Sequence, residues 1–287
     1  VTLTLHKGYN EYRCHLCDDK RAVDSVCPDC GSPNIRPLGI GTEKIEAMLK
    51  TLFPDARLIR MDQDTTRKKG SLVRILKKIQ NRTVDIIVGT QMLAKGHDFP
   101  SITLVGVVCA DLSLSLPDFR AGERTFQLLA QVSGRAGRGK VPGRVVMQTY
   151  NPDHFVIQAA RDQDIDAFFQ NEAPFRRALN YPPFSRMIQL KISGKEKSRV
   201  AGYAQKAARF LKQFIRAGSD SEDATQILGP VQSPIGRISS RFRWQILIKG
   251  RSAARLNHMV TTLLTGPQVP VPSGVKVVVD VDPYLLM

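Results

Sequence analysis

The spacing of apolar residues predicts helices that alternate with strands over the first half of the chain. At 43–53 and 71–80 the apolar side chains recur every three or four residues, which is helical spacing. Short apolar runs at 84–89 and 102–110 predict buried strands. The same pattern predicts further strands at 58–62 and 144–149 and a helix at 124–131. Strands separated by helices are typical of a parallel, twisted sheet, so we predict an α/β domain.

The pattern changes after residue 150. The segment 153–179 is predicted to be a helical linker, and a small α+β domain follows it. The predicted strands lie at 187–192, 226–228, 242–249 and 275–281, and the predicted helices lie at 197–216 and 253–264.

Strict alternation divides the residues of the 242–249 strand between two faces. Arg241, Arg243 and Gln245 lie on one face, and Phe242, Trp244 and Ile246 lie on the other. The basic face suits phosphates or an acidic partner segment, although exposed arginines are often merely solvated. The aromatic face suits a protein core, and stacking of Trp244 on a nucleic-acid base is the alternative.

Charge favours a polyanionic partner. The chain of 287 residues carries 42 basic and 26 acidic residues, a formal net charge of +16. Lys and Arg contacts to phosphates release counterions, so nucleic acid is favoured over a membrane surface. No apolar run reaches the roughly 20 residues of a membrane span, and the start at Val1 has no signal-peptide pattern. We expect a cytoplasmic monomer whose sequence begins inside a larger protein.

Four of the five cysteines form two Cys-x-x-Cys pairs, Cys14 with Cys17 and Cys27 with Cys30. Two pairs at this spacing predict a structural zinc site, in which four thiolates leave no position for water. A redox pair is the alternative, but no thioredoxin-like βαβ pattern surrounds either pair. We therefore expect Zn²⁺ to hold a small, loop-rich module and to take no part in catalysis.

Polar segments follow two of the predicted elements. GTQMLAKGHDFP at 89–100 comes after one buried strand, and QVSGRAGRG at 131–139 ends the helix that starts near 124. Ligands of parallel sheets bind at the carboxyl ends of the strands. The segment 134–141 matches the sequence pattern of a phosphate-binding P-loop except at its last position. There Val141 offers no hydroxyl to Mg²⁺, and Pro142 follows where a helix should begin.

The two polar segments resemble motifs V and VI of superfamily 2 helicases. Together with GIGTE at 39–43, RMDQDTT at 60–66 and DVDP at 280–283, they are similar to the PriA (primosomal protein N′) family of bacterial replication-restart helicases. This resemblance implies a RecA-like second helicase lobe. The domain boundaries that we predict are a cysteine-rich zinc module at 1–37, the helicase lobe at 38–160, the linker at 161–179 and the C-terminal α+β domain at 180–287.

The resemblance also implies roles for individual residues. Arg135 and Arg138 are implied to be arginine fingers, three positions apart on one helix face, although simple charge compensation at a helix end is the alternative. The residues implied to bind ATP with Mg²⁺ are Gly96, Asp98, Gln131, Arg135 and Arg138. The residues implied to contact DNA are Thr90, Gln91 and Lys95, and those implied to contact DNA or a partner are Arg241, Arg243 and Gln245.

The resemblance implies a 3′-to-5′ DNA helicase that restarts stalled forks. Its implied partners are forked and single-stranded DNA, single-stranded DNA-binding protein and other primosome proteins. Neither a P-loop nor an Asp-Glu-x-His box occurs in the chain, so we expect the P-loop lobe before Val1 and no ATP hydrolysis by the chain alone. PriA proteins carry four cysteine pairs for two zinc ions, which leaves open whether the two pairs here share one ion. The alternative function is a non-enzymatic zinc-containing DNA-binding protein with an inactive motor lobe.

Overall fold

The computed structural model describes residues 4–6, 11–13, 20–24, 26–27, 30–33, 41–94, 99, 101–137, 141–217 and 225–286. The chain divides into two compact units. One unit comprises Val1–Ile35, Ser115–Ala121 and Gln170–Met287, and the other comprises Arg36–Leu114 and Gly122–Phe169. The loop 115–121 thus belongs to the first unit, although its neighbours in sequence belong to the second.

Three short strands form an antiparallel sheet near the start of the chain. The strands are β1 (Thr4–His6), β2 (Glu11–Arg13) and β3 (Lys20–Ala22), in the order β1-β2-β3. The three residues of β3 are all exposed, so this strand contributes no buried side chain to the sheet.

The second unit alternates helices with parallel strands. Its elements begin with α1 (Thr42–Leu52), β4 (Leu58–Met61), α2 (Gln63–Thr66), α3 (Ser71–Gln80) and β5 (Ile86–Gly89). They continue with β6 (Leu104–Val107), α4 (Ala121–Ser133), β7 (Arg144–Met147) and α5 (Phe155–Asp162), and α6 (Ile165–Ala178) leads out of the unit. Strand β4 pairs in parallel with β5, and β6 pairs in parallel with β7. The α/β prediction is therefore confirmed.

Helix α4 packs into an apolar core with α5 and α6. Phe126 and Leu129 of α4 are buried with Val156 and Ala160 of α5, and Phe126 stacks on Phe168 with ring centroids 4.7 Å apart. Burial of large apolar side chains stabilises the packing by roughly 1.5–3 kcal/mol for each one fully removed from water. The central turns of α4 are thus anchored by its apolar face.

The C-terminal domain is an antiparallel sheet with two helices on one face. Its elements are β8 (Arg186–Gly194), α7 (Lys197–Ala217), β9 (Gln226–Ile238), β10 (Arg241–Gly250), α8 (Ala253–Thr265) and β11 (Val275–Val281). The strand order is β11-β8-β10-β9. The core lies between this face and the helices, with Leu190, Ile246, Leu211 and Met259 fully buried.

The pattern predicted some elements closely and missed parts of others. The helix predicted at 71–80 is confirmed as Ser71–Gln80, and the strand predicted at 275–281 is confirmed as Val275–Val281. The strand predicted at 102–110 is shorter and spans Leu104–Val107; beyond it Cys109 adopts a left-handed conformation (φ 57°), and a short 3-10 helix, Ala110–Leu112, follows. Among the described helices, none is both long and apolar enough to cross a membrane.

Candidate nucleotide and nucleic-acid sites

The carboxyl end of β5 carries two of the predicted DNA-contacting residues. Thr90 and Gln91 follow β5 directly, and both are exposed. A Cβ at position 89 would clash with the carbonyl oxygen of Met61 and with Leu93, so only glycine fits where the chain leaves the strand. Lys95, Gly96 and Asp98 lie outside the described residues.

Asp62 at the carboxyl end of β4 joins two of the upstream segments that the resemblance singled out. Its carboxylate accepts hydrogen bonds from the Thr65 N–H at 2.9 Å and from the Thr42 hydroxyl at 2.8 Å. Arg60 Nε lies 3.2 Å from the same carboxylate. Burial alone raises the pKa of Asp62, but these bonds outweigh burial and hold the pKa below its ordinary value. The ionised carboxylate therefore caps α2 and fixes the start of α1.

Asp111 performs a similar task at the ends of β6 and β7. Its carboxylate accepts hydrogen bonds from the Thr149 hydroxyl at 2.8 Å and from the Tyr150 N–H at 3.0 Å. Burial raises the pKa of Asp111, and these bonds lower it by more, so the pKa lies below its ordinary value. These bonds show that Asp111 ties the ends of the two strands together.

Arg135 lies in the turn that follows α4. The helix ends at Ser133, and the Arg135 N–H donates to the Val132 carbonyl at 3.0 Å. The prediction that Arg135 and Arg138 share a helix face is therefore wrong for Arg135, because the backbone has already left the helix. Arg135 is half-buried, Gln131 near the end of the helix is exposed, and Arg138 lies outside the described residues.

The glycines of this segment explain how the turn is held. Gly137 has φ 76°, a conformation that side chains disfavour. Its N–H donates to the Ile102 carbonyl at 3.1 Å, and a Cβ on Gly137 would clash with the backbone of Gly143. The turn after α4 is thus packed against the chain before β6 and β7, which restricts where Arg135 can lie.

The face of the C-terminal sheet opposite α7 and α8 is basic at one end. A groove there is lined by residues of three strands, which we call the basic face: Lys191, Ser193, Arg241, Arg243, Lys276 and Val278. Lys191 Nζ lies 2.7 Å from Asp280, which neutralises part of this charge. The sequence identified the two arginines but missed Lys191 and Lys276, because antiparallel pairing of β8 with β10 and β11 brings them in from distant segments.

Gln245 corrects the sequence interpretation of this face. It lies on the same side of β10 as Arg243, but only 1% of it is exposed. Its Oε1 accepts a hydrogen bond from Gln189 Nε2 at 2.8 Å, beneath the chain segment that contains Leu286. A side chain covered in this way cannot contact DNA or a partner. Trp244 packs against the core formed with α7 and α8, as the alternation favoured.

The second cysteine pair lies in a closed turn. The Cys27 N–H donates to the Ser32 carbonyl and the Gly31 N–H donates to the Cys27 carbonyl, each at 2.8 Å. Gly31 has φ 68°, a left-handed conformation that glycine adopts readily. Two thiols three residues apart in a tight turn fit a tetrahedral zinc ion. Cys14 and Cys17 lie outside the described residues. Among the residues that the structure describes, no group of three or more His, Cys, Asp or Glu side chains could hold a metal ion.

Comparisons with known proteins agree with this architecture. A family model described as helicase conserved C-terminal domain matches residues 40–140, and one described as primosomal protein N C-terminal domain matches residues 177–284. The protein named replication restart protein PriA from Bacillus subtilis is 42% identical over 288 residues, which cover 100% of this chain and 35% of that protein. The chain belongs to the PriA family.

Other proteins named replication restart protein PriA are covered to a similar extent. The Synechocystis relative is 42% identical over 287 residues, which cover 99% of this chain and 33% of the relative. The Haemophilus influenzae relative is 36% identical over 280 residues, which cover 98% and 37%. The chain thus spans about a third of the PriA relatives that it matches. The helicase match contains Thr90, Gln131 and Arg135, and the primosomal match contains the basic face.

Proposed function

We propose that this chain supplies the second motor lobe and the C-terminal domain of an ATP-dependent, 3′-to-5′ DNA helicase that acts in primosome assembly and in the restart of stalled replication forks. The observation that supports this most is a parallel-stranded lobe, matched by a helicase model, with Thr90 and Gln91 after a strand and Arg135 in the turn after a packed helix. The restart role is supported by the PriA relatives.

Arg135 and Arg138 are the arginine fingers of this proposal. Charge builds up on the γ-phosphate oxygens during phosphoryl transfer, and a cation held in place opposite the P-loop stabilises it. The restricted turn that carries Arg135 supports this role, because a finger must not have to reorganise during the reaction. Gln131, Gly96 and Asp98 contact the nucleotide in the same proposal. The P-loop and the Mg²⁺ ligands come from the part of the protein outside this chain.

Thr90, Gln91 and Lys95 contact the DNA backbone. A hydroxyl, an amide and an ammonium group can bind phosphate or sugar oxygens without reading the base sequence, as a translocating motor requires. The exposure of Thr90 and Gln91 at a strand end supports this role.

The test is ATP hydrolysis by the full-length protein in the presence of DNA. We expect Arg135→Ala to lower kcat by about a thousandfold, since removal of an arginine finger costs that much or more. Arg74→Ala is the matched control, because Arg74 is exposed on α3 and should leave kcat unchanged. Equal kcat values for Arg135→Ala and the wild type would show that Arg135 is not an arginine finger.

The basic face binds phosphates of forked or single-stranded DNA, or an acidic segment of single-stranded DNA-binding protein. Arg241 and Arg243 lie beside Lys276 on an open groove, and bidentate arginine contacts suit both phosphate and carboxylate groups. Other primosome proteins are further partners that this surface can accept.

Cys14, Cys17, Cys27 and Cys30 hold Zn²⁺ in this proposal. The closed turn at Cys27 and the chemistry of the thiols support it. When bound, the ion supplies a structural cross-link for the three-stranded sheet, whose strand β3 is exposed. A net charge of +16 and the basic face favour one second candidate, a DNA-binding zinc protein whose motor lobe is inactive. ATP hydrolysis by the full-length protein distinguishes the two.

A further inference from the structure

The segment 283–286 folds back onto the loop 115–121, within the same compact unit. Asp118 Oδ2 accepts a hydrogen bond from the Leu286 N–H at 2.9 Å, and Arg120 donates to the Pro283 carbonyl at 3.2 Å. Only 4% of Asp118 is exposed, so in place of water its carboxylate accepts hydrogen bonds from the Leu286 N–H and, at 2.9 Å, from the Arg120 N–H. The loop and the segment are therefore joined at both ends of the segment.

Leu286 is also bonded to the sheet. Its carbonyl accepts a hydrogen bond from Gln189 Nε2 at 3.2 Å, and that amide group also bonds to Gln245. The Leu286 side chain is 1% exposed and is buried with Met187 and Leu247. One residue thus bonds through its N–H to the loop and through its carbonyl to the C-terminal sheet.

Aromatic stacking strengthens the same junction. Phe119 of the loop stacks on Tyr181, with ring centroids 4.7 Å apart and planes 1° apart. The Arg176 guanidinium lies 5.5 Å from the centroid of the Phe119 ring, and Lys249 Nζ lies 4.3 Å from that of Tyr181. Lys249 also donates to the Leu179 carbonyl at 2.9 Å, which fixes the end of α6 against the sheet.

The loop 115–121 is the base of α4. The helix begins at Ala121, runs without a break to Ser133, and leads into the turn with Arg135. A helix transmits the position of its first turn to its last turn because its hydrogen-bonded backbone is stiff. A displacement of a reacting group by about 1 Å can cost up to a hundredfold in rate.

We propose that Asp118, Phe119 and Leu286 form a clamp that couples the C-terminal domain to the arginine-finger helix. Asp118 and Leu286 are positioning residues: they contact no nucleotide and set the placement of Arg135 through α4. This inference rests on the proposed function. It also assigns the buried Gln245 a role, because Gln245 orients the Gln189 amide that binds Leu286.

The test uses DNA-stimulated ATP hydrolysis by the full-length protein, with kcat and the KM for ATP measured separately. We expect Asp118→Ala and Leu286→Ala to lower kcat about tenfold while KM stays within about twofold, since a misplaced finger weakens the transition state and not ground-state binding. Leu286→Met keeps the apolar volume and should restore most of kcat. Leu285→Ala is the matched control, because Leu285 is 38% exposed.

Hydrogen exchange of the peptides that cover 121–133 provides a second readout that needs no hydrolysis. We expect faster exchange at the start of α4 in Leu286→Ala than in Leu285→Ala. Wild-type kcat in folded Asp118→Ala and Leu286→Ala variants, or unchanged exchange in α4, overturns the clamp. If Arg135→Ala lowers kcat and the clamp variants do not, the proposed function stands and this inference fails. If the wild type hydrolyses no ATP, the proposed function fails and the exchange experiment alone decides on the clamp.

Discussion

Single residues of the α/β unit show how ionised side chains hold strand ends in place. Asp62 is 6% exposed and accepts hydrogen bonds from both Thr42 and Thr65. The Thr65 hydroxyl in turn accepts from the Asp62 N–H at 2.9 Å, which completes a capping box. The sequence placed Asp62 in a predicted strand, but it could not show its partner Thr42, which lies twenty positions earlier in the chain.

Loss of the Asp62 carboxylate should destabilise the lobe. We expect Asp62→Ala to lower the free energy of unfolding by about 1–2 kcal/mol, because the cap of α2 disappears and the Thr42 hydroxyl loses its acceptor. Urea unfolding followed by circular dichroism measures the change. Asp64→Ala, an exposed change on the same helix, should leave stability nearly unaltered. Equal stability of the two variants contradicts the role given to Asp62.

The pKa of Asp62 predicts a dependence of stability on pH. The folded pKa lies below the ordinary carboxyl value of about 4, so the folded state binds the proton less readily than the unfolded chain. The contribution of Asp62 is therefore complete above that ordinary value and disappears as the pH falls through the folded pKa. Asp62→Ala should lose less stability than the wild type on acidification from pH 6 to about pH 3. Parallel pH profiles for the two proteins would contradict this.

At the scale of whole elements, the periodicity of apolar residues predicted the helices and strands whose buried residues repeat at regular spacing. The helix α7 was predictable because its buried residues Val200, Ala204, Ala207 and Leu211 recur at helical spacing. Strand β9 was predicted only as 226–228 but runs over Gln226–Ile238. Pro230 within it argues against a strand, yet β9 is an edge strand, where a missing N–H costs no ladder bond.

The bend in β9 requires glycine. Gly229 has φ 94°, and a Cβ there would lie 2.9 Å from the Gln245 carbonyl oxygen. We expect Gly229→Ala to destabilise the C-terminal domain by about 1–3 kcal/mol. Gly202→Ala is the matched control with the opposite sign: Gly202 lies within α7 with open space around it, so alanine should stabilise the domain by about 0.5–1 kcal/mol. Thermal unfolding measures both, and a stable Gly229→Ala variant would contradict the close approach.

At the scale of the whole molecule, sequence motifs predicted more of the domain organisation than the periodicity of apolar residues did. The segments at 89–100 and 131–139 identified the helicase lobe that the family model matches. The sequence could not show which polar side chains become covered, so Gln245 was assigned to a partner surface although the segment with Leu286 lies over it. It also could not show that the loop 115–121 packs with the C-terminal domain. Both features depend on contacts between residues more than 40 positions apart.

The basic face predicts a salt-dependent interaction with DNA. We expect Arg241→Ala and Arg243→Ala each to weaken binding of single-stranded DNA and to reduce the slope of log K against log salt by about 1, because each removes one phosphate contact. Fluorescence anisotropy at several salt concentrations measures the slope. Lys206→Ala on α7 is the matched control, since α7 packs on the other face of the sheet. An unchanged slope for both arginine variants would show that this face is only solvated.

Strand separation tests the central claim most directly. The full-length protein should unwind a forked duplex with ATP, moving 3′-to-5′ on single-stranded DNA. Arg135→Ala should bind the same fork with unchanged affinity and unwind none of it, because the finger acts only on the hydrolysis step. If the wild-type protein binds the fork but neither hydrolyses ATP nor separates the strands, the motor assignment is wrong. The zinc-containing DNA-binding protein then becomes the better account.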